Sequence, residues 1–268
     1  MIERFARFPA ALAERARAER LGGDIPALLA HPDWERTAPV AIWLHGRTVS
    51  KELDPGRYLR WIRAGIAACA IDLPGHGERG EEFHSPARTM DLLEQLIPEI
   101  DRVVEALAGP RFGGVFDLDR MALGGMSAGG MAALRRLCDE HPFACAAVEG
   151  TTGSLDDLYF SKETSPRTVA RHDPGRVARL DPLRHVSGWR PIPLLVVHSE
   201  ADGVVPFAGM RRFVGALREH YRGRGADPGM VELLTWPETG APEEHMGFGR
   251  YSNDAKNAQT EFLRRHLG

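Results

Sequence analysis

The chain has 268 residues, of which 43% are hydrophobic and 26% charged, proportions ordinary for a globular protein with a sizeable core. Its net charge of −3 gives no overall basic field, so we do not expect a nucleic-acid partner. No apolar run approaches the length of a membrane span, and no secretory leader is recognisable near the first residue. We therefore expect a cytoplasmic protein without membrane contact. Three cysteines in apolar contexts indicate buried thiols rather than disulfides.

Residues 1–38 are expected to form a helical segment packed on the core. Met1–Glu19 carries apolar residues at helical spacing, which predicts an amphipathic helix. Those residues are Phe5, Phe8, Leu12 and Ala16. A second, short helix is predicted over Ile25–Ala30.

From residue 39 onward, short apolar runs alternate with stretches of helical periodicity. The apolar runs predict strands at 40–44, 66–71, 121–124, 143–148, 192–197 and 230–236. Helices are predicted at 58–64, 90–107, 128–138, 207–221 and 254–267. This alternation predicts one α/β domain over residues 39–268, with a mostly parallel sheet and helices on both faces. The polar stretch 151–190 is interpreted as a short insert that lies over the sheet edge as a minimal cap.

The pentapeptide Gly-Met-Ser-Ala-Gly at 125–129 lies between a predicted strand and a predicted helix, which is the setting of a nucleophile elbow. A serine in so sharp a turn has strained backbone angles, and the residues two positions either side must be small. Gly125 and Gly129 meet this requirement. Ser127 is therefore the candidate nucleophile, and the alternative is a glycine-rich turn with an incidental serine.

Asp202 is the predicted acid of a catalytic triad. In this architecture an acid and then a histidine follow the serine along the chain. Asp202 lies in the loop after the strand at 192–197, and active-site residues of open α/β sheets gather at this carboxyl edge. Glu200 is the competing carboxylate. Asp202 is preferred because it falls within the loop, directly before Gly203.

His245 is the predicted base that removes the serine proton. It lies in the polar loop after the last strand, where the order of serine, acid and histidine requires it. Three other histidines suit the role less well. His198 precedes the acid, and His220 and His266 fall in predicted helices.

An oxyanion hole needs two N–H donors aimed at the developing alkoxide. The backbone N–H of Ala128, directly after the nucleophile, is the first candidate. The second is the backbone N–H of Arg47 in the loop after the first core strand, where Gly46 permits tight geometry. We interpret the His45 ring as a support of this loop. The Arg47 side chain either meets an anionic substrate or is solvated.

The run Gly-His-Gly-Glu-Arg-Gly at 75–80 matches a dinucleotide-binding fingerprint and follows a strand. In a dinucleotide-binding fingerprint the last glycine leads directly into a helix, whereas here residues 83–86 separate the run from the next predicted helix. We interpret the run as a turn that needs flexible glycines. No phosphate-binding loop or metal-binding motif is present, and His76 with His84 is too little for a metal site. We expect neither a cofactor nor a metal.

The chain from about Val40 onward resembles the α/β-hydrolase superfamily. Four segments look like the dienelactone-hydrolase-like and prolyl-oligopeptidase-like esterases: 45–47, 72–77, 125–130 and 202–206. The resemblance implies Ser127 as nucleophile, Asp202 as acid and His245 as base. Dienelactone hydrolases themselves use a cysteine nucleophile, and prolyl oligopeptidases add a propeller domain for which this chain shows no counterpart. The first two strands of larger members are expected to be replaced by the N-terminal helices.

The expected activity is hydrolysis of a small carboxylic ester through an acyl-enzyme. The same triad can also hydrolyse amides, peptides, lactones or thioesters, or transfer an acyl group. A non-catalytic ligand-binding protein is a further alternative. An apolar group in the insert is a candidate substrate lining or a packing surface: Leu155, Leu158, Tyr159 and Phe160. Glu149, at a strand end, either touches the site or pairs with an arginine.

Overall fold

The computed structural model describes residues 8–161 and 170–268, and eight strands in these ranges form one sheet. The strands are β1 (Ala16–Leu21), β2 (Ile25–Ala30), β3 (Ala38–Leu44), β4 (Ala67–Ile71), β5 (Phe116–Met126), β6 (Cys145–Glu149), β7 (Leu194–Ser199) and β8 (Val231–Trp236). The α-helices in the same ranges are α1 (Ala10–Ala13), α2 (Pro55–Arg63), α3 (Thr89–Ala108), α4 (Ala128–Arg136), α5 (Leu155–Phe160), α6 (Pro174–Leu180), α7 (Phe207–Gly223) and α8 (Ser252–Leu267).

The strands lie in the order β1-β2-β4-β3-β5-β6-β7-β8. β2 is antiparallel to both of its neighbours, and β3 to β8 run parallel. The carboxyl ends of the parallel strands therefore meet at one edge of the sheet. The chain leaves β3 toward β4 on one side and returns to β5 on the other, which opens a crevice beyond the end of β3.

Helices cover both faces of the sheet, as predicted. One face packs on α3, α4 and α7, and the other packs on α1, α2 and α8. The core strands are almost wholly apolar because a parallel sheet between two helical layers is buried on both sides. β3 and β4, for example, have no exposed residue.

The N-terminal helical segment is a wrong prediction. The described part of residues 1–38 has only one helical turn, at Ala10–Ala13, and Met1–Arg7 lie outside the described residues. β1 and β2 form an antiparallel hairpin, and its turn contains Gly22 and Gly23, both at positive φ. β2 lies between β1 and β4 and is fully buried, and periodicity alone does not separate so short an apolar run from a helix. The expected replacement of two strands by helices therefore does not occur.

The strands and helices predicted from residue 39 onward are present, and their ends agree within three residues except at β5. β5 begins at Phe116, five residues before the predicted start at Met121. Its first half contains Asp117, Asp119 and Arg120, so the apolar pattern marks only the second half. The three cysteines are free and buried, as predicted.

The described parts of the insert, residues 151–161 and 170–190, pack on the main core. α6 packs on α3, and α5 packs on α7. Leu155 and Val177 are fully buried in the same apolar cluster as the core strands. Residues 162–169 of the insert lie outside the described residues. Within the described ranges, no helix combines the length and the apolar character needed to cross a membrane.

Candidate active site

Ser127 lies in a strained turn between β5 and α4, with φ of 51° and ψ of −120°. A side chain at Gly125 would place its Cβ 2.6 Å from the carbonyl carbon of Gly129. A side chain at Gly129 would place its Cβ 2.3 Å from the carbonyl oxygen of Leu44. Both glycines are therefore required by close backbone contact, which is the physical reason the sequence pattern anticipated.

The structure brings the three predicted triad residues together. His245 Nε2 lies 3.0 Å from Ser127 Oγ, and His245 Nδ1 lies 2.8 Å from Asp202 Oδ2. A carboxylate oxygen only accepts, so Nδ1 carries the proton and donates it to Asp202. Nε2 is then free to accept the serine hydroxyl. A continuous hydrogen-bonded chain thus runs from the serine to a buried carboxylate.

Asp202 is fixed by the backbone of its own loop. Its Oδ1 accepts hydrogen bonds from the N–H groups of Val204 and Val205 at 2.9 and 2.7 Å, which leaves Oδ2 to face His245. His198 Nε2 lies 3.7 Å from the same oxygen, Asp202 Oδ2, and hydrogen-bonds to the Val205 carbonyl at 3.0 Å. Burial lowers the pKa of His198, so that ring is neutral near pH 7. The competing carboxylate, Glu200, accepts instead from the Thr235 hydroxyl on β8.

Glu244 holds the loop that carries His245, a role the sequence analysis missed. Its Oε2 accepts from the Ser199 hydroxyl at 2.7 Å and from the N–H and hydroxyl groups of Thr239. Its Oε1 accepts from the N–H of Gly240 at 2.6 Å. These hydrogen bonds, with that from Ser199 first, lower the pKa of Glu244 from its ordinary 4.5 to about 2. The position of Glu244 next to His245 is the only signal for this role in the sequence.

Glu244→Gln should weaken the dependence of stability on acidic pH. Because the folded-state pKa of Glu244 is depressed, its contribution is present above about pH 4.5 and is lost as the pH falls toward 2. The unfolding midpoint of the wild type should therefore fall more steeply across that window than the midpoint of the variant. Thermal unfolding followed by circular dichroism measures both slopes. Glu238→Gln, an exposed position in the same loop, is the matched control, and equal slopes for wild type and Glu244→Gln would refute the expectation.

The loop after β3 lies directly against the serine. A Cβ built on Gly46 would be 3.5 Å from the Ser127 Cβ, so this backbone approaches the elbow closely. The His45 ring supports the loop, since Nδ1 donates to the Gly46 carbonyl at 2.6 Å and Nε2 accepts from the N–H of Leu73 at 3.2 Å. Burial lowers the pKa of His45 to about 4, which keeps the ring neutral.

Ala128 is the first residue of α4, so its N–H lies in the first turn, where no intrahelical acceptor exists. Arg47 follows Gly46 in the loop beside the serine. The two predicted oxyanion donors are thus on the two segments that border Ser127. Their roles remain a prediction.

Backbone strain in the described residues concentrates around this site. The non-glycine residues with positive φ are Thr48, Ser127, Glu243 and Glu244. They lie next to Arg47, at the elbow and directly before His245. Strained residues persist where the surrounding structure imposes them, and they cluster at functional sites.

A cleft of about 380 Å³ opens above Ser127. Of the predicted lining, Leu158 and Tyr159 contribute to its wall. The other two predictions are wrong: Leu155 is fully buried in the core, and Phe160 is 44% exposed and is not among the described lining residues. In α5 only one side of the helix faces the cleft, so adjacent apolar residues divide between cleft, core and solvent.

Glu149 pairs with an arginine beneath the elbow. Its carboxylate makes a bidentate ion pair with Arg57, at 2.7 and 2.8 Å, and also accepts from the Gln259 amide. Its carbonyl accepts the N–H of Ser127 at 3.0 Å. Of the two interpretations of Glu149, the structure supports the ion pair.

The glycine-rich run at 75–80 is a turn wrapped around Asp72, as interpreted. Gly75, Gly77 and Gly80 all have positive φ. A Cβ on Gly77 would lie 2.3 Å from the Asp72 carboxyl group. Asp72 in turn pairs with the buried Lys51 at 2.6 Å. In the described part of the chain, no group of three or more histidine, cysteine, aspartate or glutamate side chains has an arrangement that suits a metal ion.

The sheet order and the serine–histidine–aspartate geometry at its carboxyl edge define an α/β-hydrolase. The sequence model of the prolyl oligopeptidase family matches residues 57–268, and the chain belongs to that family. The chain is therefore a hydrolase with a prolyl-oligopeptidase-like fold.

Two proteins similar to this chain are named as an esterase and a putative esterase. The chain is 28% identical to the esterase YjfP of Escherichia coli over 91% of this chain and 96% of that protein. It is 24% identical to the putative esterase YitV of Bacillus subtilis over 69% of this chain and 77% of that protein.

Solved structures share the fold. TT1662 from Thermus thermophilus is 25% identical, with a TM-score of 0.70 over 94% of this chain and 98% of that one. A puromycin-hydrolyzing peptidase of Mycobacterium tuberculosis is 20% identical, with a TM-score of 0.71 over 95% of this chain. The match covers only 40% of the peptidase chain, so the likeness is confined to one part of that larger protein.

Proposed function

We propose that the protein is a serine hydrolase that cleaves a carboxylic ester of a small molecule through an acyl-enzyme. The observation that carries the proposal is the hydrogen-bonded chain from Ser127 through His245 to Asp202 at the bottom of an open cleft. A serine hydroxyl becomes an effective nucleophile only when a base takes its proton, and His245 Nε2 is within reach.

In the first half-reaction Ser127 attacks the ester carbonyl while His245 takes the hydroxyl proton. The backbone N–H groups of Ala128 and Arg47 stabilise the oxyanion. His245 then protonates the leaving alcohol, and the acyl group stays on Ser127. In the second half-reaction His245 activates a water molecule that releases the acid. Asp202 holds the imidazole in one tautomer throughout and stabilises its cation.

The relatives favour an ester over an amide. The two proteins named as esterases align over most of their own length, whereas the peptidase structure aligns over only 40% of its chain. Peptide hydrolysis is the second candidate because the family is that of prolyl oligopeptidase. An ester and an amide with the same acyl group, assayed side by side, separate the two.

Labelling with a fluorophosphonate probe tests the proposal. The probe should form a covalent adduct on Ser127 of the folded protein, identified by peptide mass spectrometry, because it reacts only with an activated serine. Heat-denatured protein and Ser127→Ala are the controls, and neither should be labelled. A folded wild-type protein that stays unlabelled and hydrolyses no activated ester would support the ligand-binding alternative instead.

A further inference from the structure

Arg47 lines the same cleft as Ser127, and so does Thr89, to which the guanidinium of Arg47 is hydrogen-bonded. Its Nη1 donates to the Thr89 hydroxyl at 2.8 Å. Thr89 donates in turn to the Pro86 carbonyl, which fixes the hydroxyl as an acceptor for the arginine. The side chain is therefore oriented by a neutral partner rather than loose in solvent.

Arg47 has no counter-ion among the described residues. No carboxylate in those ranges lies within 4.0 Å of its nitrogens, although most other partly buried arginines have one. The acidic residues at the start of α3, Asp91 and Glu94, pair with Arg176 instead. Among the described residues only Thr89 hydrogen-bonds to the guanidinium, so its other N–H groups present a planar edge to a ligand.

The described groups nearest to Arg47 do not compensate its charge. Burial raises the pKa of Tyr159, which lines the cleft beside Arg47 and Thr89, so its phenol is neutral. Arg47 is partly buried, which lowers the pKa of its guanidinium, yet the group remains protonated near pH 7. Glu243 is the one carboxylate among the described lining residues, and it lies on the loop of His245, beside Gly203.

We propose that Arg47 binds a carboxylate of the substrate, so that the preferred esters are half-esters of short dicarboxylic acids. An arginine fork matches a carboxylate in two parallel hydrogen bonds and pairs with it more strongly than with a neutral group. The backbone of the same residue borders Ser127, so the anionic group and the reacting carbonyl are separated by about one arginine side chain. This inference rests on the proposed ester hydrolysis and specifies its substrate class.

The test compares 4-nitrophenyl hydrogen glutarate with 4-nitrophenyl valerate, which replaces the free carboxylate by a methyl group. The wild type should favour the glutarate ester, and Arg47→Met should lower the ratio of the two kcat/KM values by about 10- to 100-fold, the range expected for a charge-assisted hydrogen bond. The ratio for Arg47→Lys should fall between those of the wild type and Arg47→Met, since lysine keeps the charge but lacks the planar fork of arginine.

Arg63→Met is the matched control. Arg63 is exposed at the end of α2, just before β4 begins, and so lies at the opposite edge of the sheet from the cleft. Its loss changes the net charge equally, and the ratio should stay within about 2-fold of the wild-type value because distant surface charges are screened. An unchanged ratio in Arg47→Met would overturn the proposal, as would equal loss of both activities.

Binding to Ser127→Ala provides a readout that needs no turnover. By calorimetry, Ser127→Ala should bind monomethyl glutarate at least about 10-fold more tightly than methyl valerate, and Ser127→Ala/Arg47→Met should lose that difference. Equal affinities in Ser127→Ala would also overturn the proposal. If the wild type hydrolyses both esters without preference, this inference fails and the proposed function stands. If it hydrolyses neither while the binding difference holds, the proposed function fails and the anion site stands.

Discussion

Ser127→Ala should lower the kcat for hydrolysis of an activated short-chain ester by about 10⁶-fold, the loss seen when a triad nucleophile is removed. The alanine leaves the proposed oxyanion donors and the cleft in place but removes the atom proposed to attack the carbonyl. The alanine methyl carbon occupies the position of the serine Cβ, so the elbow should keep its shape. Steady-state release of 4-nitrophenolate from purified protein measures the effect.

Two controls separate lost chemistry from lost structure. The thermal unfolding midpoint of Ser127→Ala should match that of the wild type, because Ser127 Oγ contributes one hydrogen bond at the edge of a cleft. Ser187→Ala, at an exposed serine before β7, should keep full activity. Activity of Ser127→Ala near the wild-type level, in a preparation free of other esterases, would contradict the proposed mechanism.

Asp202→Asn should lower kcat by about 10⁴-fold while the protein stays folded. The asparagine oxygen can still accept the N–H groups of Val204 and Val205, so the loop should hold. Its amide nitrogen then faces His245 as a donor and favours the imidazole tautomer with its proton on Nε2. In that tautomer Nε2 has no lone pair to accept the Ser127 hydroxyl. The imidazolium that forms during the reaction also lacks a carboxylate as counter-ion.

Glu200→Gln is the matched control for Asp202→Asn, since the two carboxylates lie two residues apart in the same loop. Glu200 bonds Thr235 on the far side of the loop from His245, so its substitution should change kcat by less than about 2-fold, as expected for an exposed pair. A larger loss in Glu200→Gln than in Asp202→Asn would show that the acid has been misassigned. Full activity of Asp202→Asn would remove the carboxylate from the mechanism.

The elements from residue 39 onward could be predicted because their local signals agree with the fold. Each core strand is an apolar run, and each long helix has an apolar face, so burial on both sides of the sheet leaves a direct trace in the sequence. β5 is the exception. Its first half alternates apolar and polar residues, from Phe116 to Arg120, beside the start of β3, and so lacks the continuous apolar run of a strand buried on both faces.

The N-terminal hairpin could not be predicted in the same way. Ile25–Ala30 is apolar at every position but one, a proline, and such a run suits a buried strand as well as a helix. It is a strand because the backbone groups of β4 are available on one side and those of β1 on the other. The pairing with β4 joins residues far apart in the chain and leaves no local signal, whereas the pairing with β1 is a hairpin whose turn at Gly22 and Gly23 is a local signal that the helix prediction overlooked.

The sequence by itself determined the elbow, the order of the proposed nucleophile, acid and base, and the loop beside them. These features depend on local requirements: glycines where backbones touch, and polar residues directly after buried strands. The tertiary structure alone decided that Glu244 holds the loop of His245, that Glu149 pairs with Arg57, and that Arg47 lines the cleft with no carboxylate partner among the described residues. Each of these depends on contacts between segments that are distant in the sequence, as between Glu244 and Ser199, and only packing of the whole chain sets such contacts.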